Sequence, residues 1–440
     1  MTRYRAALLT LTTLAPALGA QTRPPIRPLG AVHATTTDSL GMVNNVRALP
    51  GGRLLINDAT SRRVLLVDST FKTISIVADS TSSTANAYGP RSGSLIAFRG
   101  DSTLFVDAAS LSMLVIDPAG KIGRVMSVPR SQDAMMLAAG GLGTGAYYSN
   151  GYLVYRGMPG FQMRMGATGV PTMPSVADTM AIVRVNLQSR AVDTVGFIKI
   201  PKTNTNMTRS DDGKISISIE VNPLPVVDDW VVTSAGDVAL IRGKDYHIDW
   251  MSPDGTHRAS PKMAFDWKRL SDEQKVALID SVKAIRDRAA AANPGQGNAM
   301  AAAFGAALGT GGAAGGAAPQ MVMRFETAGA AGGRPGGGAA PQITAPQINY
   351  VSPSDLPDYQ PAFFATSAKA DDDGNIWVRT IPTTPTAGGA VYDVINAKGE
   401  VVDRVQIPEN RTIVGFAPGG VVILAVRDGV TTKLERARTK

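Results

Sequence analysis

Histidine, cysteine and paired acidic residues carry most acid–base, nucleophilic and metal chemistry, and they are sparse in this sequence. Its 440 residues include no cysteine and three histidines, which excludes thiol catalysis, cysteine-ligated zinc and a disulfide framework. His33, His247 and His257 do not stand at a metal-ligand spacing. No phosphate-binding loop, nucleophile elbow or His-Glu-x-x-His motif occurs. The sequence therefore predicts no catalytic residue.

The densest acidic run is Asp371-Asp372-Asp373-Gly374. A calcium loop of the helix-loop-helix kind alternates its acidic ligands with other residues and ends in a glutamate, whereas this run has three consecutive aspartates and no terminal glutamate. We expect a turn between two strands here. Calcium stays open as a cofactor, and the sequence indicates no other.

Short apolar strands separated by polar turns recur along the chain. Leu55–Lys72 and Leu104–Lys121 align residue by residue, each with an aspartate at the end of two successive strands. Four short strands in a unit of about 40–50 residues are typical of β-propeller blades, which bury their faces by stacking around an axis. We count six such units, and a seventh stays open. They start near Asn44, Arg91, Gly145, Asp228, Gln360 and Asn410.

The last unit has three strands of its own. Leu29–Thr36, ahead of the first unit, can supply the fourth. Such a closure joins the two ends of the chain and leaves no open sheet edge at the seam. We therefore predict that an N-terminal strand closes the last blade.

The strands and turns of Leu104–Lys121, which end in Asp-x-x-Gly-Lys, resemble NHL-type repeats, and Leu55–Lys72 follows with Thr70-Phe71 where glycine would stand. The chain over about residues 29–440 resembles exported bacterial six-bladed β-propeller proteins with NHL/TolB-like repeats. The resemblance implies an all-β fold of four-stranded blades. Some six-bladed propeller hydrolases hold an axial calcium with acidic and Asn ligands, but this chain has no matching inner-strand glutamate.

Ligands of propellers usually bind at the axis, where the inner strands of different blades converge. Polar residues near the inner strands of the predicted units are therefore the ligand-binding candidates. These are Asn44, Asn45, Arg91, Asn150, Asp228, Asp229 and Tyr359.

Three insertions interrupt the predicted ring. Residues 157–179 are rich in methionine and form either an adaptable lip over a ligand or a loop on the propeller edge. Residues 202–222 contain Ile215–Val221, whose alternation predicts a half-buried strand. Residues 266–346 begin with a predicted helix over 271–290, in which Ser271 and Gln274 form a capping box. The stretch 294–342 is Gly/Ala-rich and is expected to be a flexible excursion.

Residues 1–20 have the pattern of a secretory signal peptide. Arg3 and Arg5 precede the apolar run Ala6–Leu18, and small residues follow at Gly19 and Ala20. The run is too short to span a membrane. We expect an exported protein, periplasmic or extracellular, with residues 21–440 as a single domain and no transmembrane anchor after signal removal.

The formal net charge is +8, and loss of Arg3 and Arg5 leaves 8 − 2 = +6. The basic residues are scattered and form no dense stripe with interleaved aromatic residues. Nucleic-acid binding needs such a stripe, so we expect no nucleic-acid partner. We expect a monomer.

Two function classes stay open. The first is a binding scaffold without catalysis, which recognises a protein, peptide or glycan at its axial face. The second is a metal-dependent hydrolase or lyase with an axial calcium site. The sequence favours the first because it offers no recognisable acid–base pair or metal-ligand set.

Overall fold

Antiparallel pairing between neighbours in sequence builds most of this fold. The computed structural model describes residues 23–81, 88–90, 93–138, 147–157, 164–165, 171–172, 178–202, 204–209, 215–292, 347–384, 386–429 and 431–439. These residues form an all-β propeller of six four-stranded blades, as predicted, and no seventh blade occurs among them.

The first half of the chain forms two N-terminal strands and blades one to three. The N-terminal strands are β1 (Ile26–Pro28) and β2 (Val32–Thr35). Blade one comprises β3 (Val43–Ala48), β4 (Leu54–Asp58), β5 (Arg63–Val67) and β6 (Ile74–Ala78). Blade two comprises β7 (Ser94–Ala97), β8 (Thr103–Asp107), β9 (Ser112–Ile116) and β10 (Ile122–Ser127), and the short helix α1 (Ala134–Ala138) follows. Blade three comprises β11 (Tyr147–Ser149), β12 (Tyr152–Arg156), β15 (Thr179–Asn186) and β16 (Val192–Lys199), with the small pair β13 (Arg164–Met165) and β14 (Pro171–Thr172) inserted.

The second half forms an inserted sheet, a long helix and blades four to six. The strands β17 (Asn204–Arg209) and β18 (Ile215–Val221) precede blade four, which comprises β19 (Asp229–Val232), β20 (Val238–Arg242), β21 (His247–Met251) and β22 (His257–Ala259). Helix α2 (Asp272–Ala292) and β23 (Gln347–Tyr350) precede blade five, which comprises β24 (Phe363–Ala370), β25 (Ile376–Thr380), β26 (Val391–Ile395) and β27 (Val401–Gln406). Blade six contributes β28 (Arg411–Ala417), β29 (Val421–Asp428) and β30 (Thr431–Arg438). Short 3₁₀ turns lie at Pro50–Gly52, Arg99–Asp101, Ser131–Asp133 and Pro353–Asp355.

The first strand of each blade is the innermost. Contacts of β3 with β7 and β28, of β7 with β11, and of β19 with β24 link neighbouring blades through these strands. They therefore surround the propeller axis, and later strands lie progressively farther from it. Polar side chains from several blades can meet only at this inner ring or beside it.

The N-terminal segment closes the ring, as the sequence predicts. Strand β2 pairs antiparallel with β30 and completes blade six. The preceding strand β1 pairs parallel with β27 and adds a fifth strand to blade five. This second pairing was not predicted. It means that the N-terminal segment covers the outer edges of two adjacent blades.

Hydrophobic side chains fill the spaces between adjacent blades. Leu104 of blade two packs in one cluster with Leu153 of blade three. Trp250 of blade four and Phe363 of blade five share another cluster. Because each cluster draws on two blades, no blade buries its faces alone.

The repeated aspartates of the sequence have a structural role. Asp68 accepts backbone N–H hydrogen bonds from Thr70 and Lys72, both at 3.1 Å, and Asp117 accepts the same pair from Ala119 and Lys121 at 2.9 and 2.8 Å. Each carboxylate thus fixes the turn between two strands of its blade. At the glycine position of this motif Gly120 has φ +85°, and the equivalent residue in blade one has φ +65° although it is Phe71.

The insertions form structure of their own where they are described. Strand β18 occupies the predicted range and pairs with β17 and, in parallel, with β23. At the start of α2 the predicted capping box forms: the Gln274 N–H donates to Ser271 Oγ at 3.3 Å, and the Ser271 N–H donates to Gln274 Oε1 at 3.0 Å. Among the described residues, no helix is long and apolar enough to cross a membrane. The predicted signal peptide, residues 1–20, and the Gly/Ala-rich stretch 294–342 lie outside the described residues.

Candidate functional site

Asp229, at the start of the inner strand of blade four, lies at the junction with blade five. Its side chain faces blade five because the neighbouring Trp230 packs towards blade three. The residue is 4% exposed. One carboxylate oxygen accepts the Trp230 N–H at 2.9 Å and the other accepts the Ala368 N–H at 2.8 Å. The carboxylate therefore joins the inner strands of two blades.

A bulge in β24 presents the amides that bind Asp229. Between the pairs Phe363–Thr380 and Ala368–Val378, β24 advances five residues while β25 advances two. Thr366 in this stretch has φ +64°, a left-handed conformation that a β-branched residue rarely adopts. The extra residues turn the backbone so that its amides point across to blade four. Bulges and strained residues of this kind are enriched at functional sites.

Two cationic side chains lie within electrostatic range of the Asp229 carboxylate: Arg156 at the end of β12 and Lys369 on β24. Burial raises the pKa of Asp229 to about 6, against the opposing effects of its backbone hydrogen bonds and of Arg156. Burial also lowers the pKa of the Arg156 guanidinium and of the Lys369 ammonium, and the charge of Asp229 opposes both changes. Blades three, four and five thus place three ionisable groups together at the inner ring.

The two cationic side chains do not donate hydrogen bonds to other described residues. Within the described ranges, neither the Arg156 guanidinium nor the Lys369 ammonium makes a hydrogen bond or a salt bridge, whereas both oxygens of Asp229 accept hydrogen bonds from backbone amides. The guanidinium and ammonium donors are therefore available to a ligand. We call Arg156, Asp229 and Lys369 the axial cluster.

Two further sequence-predicted residues act as links within the ring. Asp228 accepts hydrogen bonds from Arg242 Nη1 at 2.8 Å and from the backbone N–H groups of Lys199 and Gly243 at 3.0 and 3.1 Å. Asn45 on β3 donates through Nδ2 to the Leu95 carbonyl of blade two at 3.0 Å. Its Oδ1 is buried and has no hydrogen-bond partner among the described residues.

The other predicted site residues do not join the axial cluster. Asn150 lies in the turn that follows β11, at the opposite end of its inner strand from the position that Asp229 occupies in β19. Tyr359 is 51% exposed and forms an isolated bridge with Arg269 outside the blades. Arg91 lies outside the described residues, and nothing is described of the Asn44 side chain.

Arg156 and Lys369 were missed by sequence reasoning. Arg156 ends a second strand, and Lys369 lies late in an inner strand, whereas the prediction considered residues near the starts of blades. The signal that could have found them is a single charged residue in a strand that has no other charge, as in the Tyr152–Arg156 and Phe363–Ala370 segments.

A second group of polar residues comes from alternate blades. Arg47 of blade one, Tyr147 of blade three and Asp372 of blade five interact electrostatically with one another. Burial raises the pKa values of the Tyr147 hydroxyl and the Asp372 carboxyl, and the positive charge of Arg47 opposes both changes. Since these three blades are not adjacent, their side chains meet across the axis.

Metal ligation receives no support from the described part of the chain, in which no group of three or more His, Asp or Glu side chains could hold an ion. The acidic run after β24 is a turn, as predicted. Asp371 accepts from the backbone N–H groups of Asp373 and Asn375 and from Trp377 Nε1, and Asp373 accepts from the Gly420 N–H of blade six. These carboxylates are engaged in holding the fold.

A cavity of about 250 Å³ opens between blades five and six, away from the axial cluster. Its acidic lining is already paired: Asp403 binds Arg27, and Asp371 accepts from Trp377 Nε1. The buried Trp377, which is 2% exposed, offers little surface to a ligand. The axial cluster is therefore the stronger candidate site.

No protein-family model and no curated protein matches this sequence. Among solved structures, the chain is similar to a gluconolactonase from Xanthomonas campestris, with 10% identity, coverage of 96% of this chain and 99% of the other, and a TM-score of 0.38. The chain is also similar to regucalcin, a calcium-binding protein from Agrobacterium tumefaciens, with 10% identity, coverage of 94% of this chain and 98% of the other, and a TM-score of 0.39. A third similar structure is a DUF4221-family member from Bacteroides vulgatus, with 8% identity, coverage of 96% of this chain and 98% of the other, and a TM-score of 0.41. Similarity at such low identities and TM-scores does not indicate an activity for this chain.

Proposed function

We propose that this protein is an exported β-propeller binding scaffold that recognises an anionic group of a peptide or glycan at its axis. Arg156 and Lys369 supply the donors, and Asp229 limits the charge that they leave uncompensated. Blades three, four and five provide one of these residues each. The ligand is thus held where the rigid inner strands converge.

The observation that carries this proposal is the excess of positive charge in the axial cluster. The cluster contains two cations and one carboxylate, and both oxygens of that carboxylate accept hydrogen bonds from backbone amides. A carboxylate or sulfate of the ligand would balance the remaining charge. It would also accept the charge-assisted hydrogen bonds that a guanidinium and an ammonium can donate, which are among the strongest in proteins.

The metal-dependent alternative has less support from the same geometry. Calcium takes roughly six to eight oxygen ligands. Asp229 is the carboxylate of the axial cluster, and the two neighbouring cations repel a divalent cation. Binding of an anionic ligand uses these charges, whereas binding of calcium would have to overcome them.

The test uses fluorescence anisotropy with labelled polyglutamate and with labelled oligogalacturonate. Polyglutamine and a maltooligosaccharide are the uncharged controls. We expect both acidic probes to bind more tightly than their controls. The substitutions Arg156→Gln and Lys369→Gln should each weaken the acidic probes by about tenfold, since each removes a charge-assisted hydrogen bond.

A matched variant, Lys262→Gln, removes an exposed lysine that pairs with Asp245 at 3.1 Å on blade four. It should leave binding unchanged. Equal binding of acidic and uncharged probes, or binding that survives both axial substitutions, contradicts the proposal. Stoichiometric calcium that is lost in Asp229→Asn would favour the metal-dependent alternative instead.

Export is part of the proposal and rests on residues 1–20. Expression of the full chain with recovery of the processed protein, followed by N-terminal sequencing, tests it. The expected mature chain starts at Ala20 or Gln21, because the small residues Gly19 and Ala20 are the cleavage candidates. A cytoplasmic protein with residues 1–20 intact contradicts export without affecting the axial proposal.

A further inference from the structure

Lys369 occupies an unusual position for a lysine. It directly follows Ala368, whose amide is fixed on Asp229, and it pairs with Trp377 in the register of blade five. It is partly buried, and its ammonium makes no hydrogen bond or salt bridge within the described residues. Lys275 shows the usual arrangement, since its side chain is 5% exposed and pairs with Asp358 at 2.8 Å.

The chemical consequence is a lysine that gives up its proton more easily. A partly desolvated ammonium without a directly bonded counterion is costly, and the cost falls when the proton leaves. Burial accordingly lowers the pKa of Lys369, and the nearby Asp229 opposes this without contacting it. An unprotonated lysine amine is a nucleophile towards carbonyl groups.

We propose that Lys369 is a carbonyl-reactive amine that forms an imine with an aldehyde or ketone group of a ligand whose anionic group Arg156 holds. This inference rests on the proposed function, because Arg156 is the residue that would orient the ligand. The ligand class is a compound with a carbonyl close to a carboxylate, such as a 2-oxo acid or an acidic sugar with a free reducing end.

The step balances without an oxidant or a reductant. The Lys369 nitrogen adds to the carbonyl carbon and forms a C–N bond, while the carbonyl oxygen takes up a proton. The resulting carbinolamine loses this oxygen as water, and the nitrogen loses its remaining proton as the C=N bond forms. One water molecule is released for each imine, and hydrolysis reverses the reaction.

The test treats the mature protein with glyoxylate and sodium cyanoborohydride near neutral pH, and peptide mass spectrometry then locates carboxymethylated lysines. We expect Lys369 to be labelled several-fold faster than the exposed Lys262 and than the ion-paired Lys275. Glycolaldehyde, which lacks the carboxylate, should label Lys369 more slowly than glyoxylate does. In Arg156→Gln this preference for glyoxylate should disappear while the labelling by glycolaldehyde persists.

The comparison among lysines needs no variant, so it holds even if Lys369→Arg fails to fold. Where that variant folds, it should lose the fast phase of labelling. Labelling of Lys369 no faster than that of Lys262 overturns the inference, and intact polyglutamate binding in the same protein then leaves the proposed function standing. Fast labelling of Lys369 without polyglutamate binding supports the amine and overturns the proposed function.

Discussion

The Asp229 carboxylate accepts the Ala368 amide of the next blade at 2.8 Å. This bond joins blades four and five at the inner ring and depends on the β24 bulge, in which Thr366 has φ +64°. The same carboxylate lies within electrostatic range of Arg156 and Lys369. One buried group thus fixes the junction between two blades and sets the charge of the axial cluster.

The first prediction concerns pH and Asp229. Burial raises its pKa to about 6 in the folded protein from 3.8 for an ordinary aspartate, so the folded state holds the proton more tightly. Stability contributed by this group is present below about pH 3.8 and is lost as the pH rises through 6. The difference corresponds to roughly 3 kcal/mol. Asp229→Asn should therefore gain stability relative to the natural chain as the pH rises from 4 to 6.

The measurement is chemical denaturation of both proteins at several pH values. The difference between them isolates Asp229, because burial also raises the pKa of Asp393 and would give a dependence of the same sign in both proteins. The asparagine side chain in Asp229→Asn has one acceptor oxygen where the carboxylate has two, so one of the two backbone hydrogen bonds is lost. We therefore also expect a difference in the free energy of unfolding between the two proteins that does not depend on pH. A stability difference that does not change between pH 4 and 6 would show that Asp229 titrates normally.

The second prediction concerns Asp393, the buried carboxylate that pairs with Arg23 of the N-terminal segment. Asp393 is fully buried and binds Arg404, Tyr246 and, at 3.4 Å, Arg23. In Asp393→Asn the Arg404 guanidinium loses its carboxylate partner near the core, while Arg23 keeps only its contact with Asp266, and we expect a loss of about 3 kcal/mol. Asp266, the second partner of Arg23, is 75% exposed, so Asp266→Asn should cost less than about 1 kcal/mol.

Urea denaturation monitored by circular dichroism measures both variants. Equal decreases in the free energy of unfolding for Asp393→Asn and Asp266→Asn would mean that the contacts of Arg23, rather than the burial of Asp393, account for the stabilisation. The pair therefore separates a surface contact of the N-terminal segment from its buried contact.

The elements that sequence analysis could locate have strong local signals. The alternation of Ile215–Val221 fixes β18, and the Ser271–Gln274 spacing fixes the start of α2. The positions where blades begin follow from the repeat, because each blade is a local antiparallel meander. Local pattern and local structure agree in these segments.

The features that sequence analysis missed depend on contacts between distant segments. Strand β1 has three residues, too few for a period, and its pairing with β27 joins residues more than 370 positions apart, since 404 − 26 = 378. The bulge of β24 places a left-handed conformation at Thr366, a residue type that gives no such signal. Asp229 is one of the predicted ligand-binding candidates, but its proximity to Arg156 and Lys369 depends on how blades three, four and five pack together, which the local sequence of each blade does not show.

The third prediction concerns the capping box of α2. Ser271→Ala removes the acceptor for the Gln274 N–H and should cost about 1 kcal/mol. The matched control is Ser281→Ala within the same helix, where Oγ bonds back to the Leu278 carbonyl. Because such back-bonding slightly destabilises a helix, the control should be neutral or slightly stabilising. Hydrogen exchange of the α2 amides measures both, and faster exchange confined to Ser281→Ala would contradict the prediction.

The fourth prediction concerns a close approach of two backbones in blade four. A Cβ atom at Gly243 would overlap the Val227 carbonyl oxygen, which belongs to the backbone and cannot move aside as a flexible side chain could. The N–H of Gly243 also donates to Asp228 at 3.1 Å, so the turn cannot shift without loss of that bond. Gly243→Ala should therefore lower the free energy of unfolding by about 2 kcal/mol or more. Gly123 on β10 has open space at the same position, and Gly123→Ala should change stability by less than about 0.5 kcal/mol. Thermal and urea unfolding of the two variants decide the matter, and comparable losses would mean that the loss of glycine itself, rather than the overlap with Val227, is the cause.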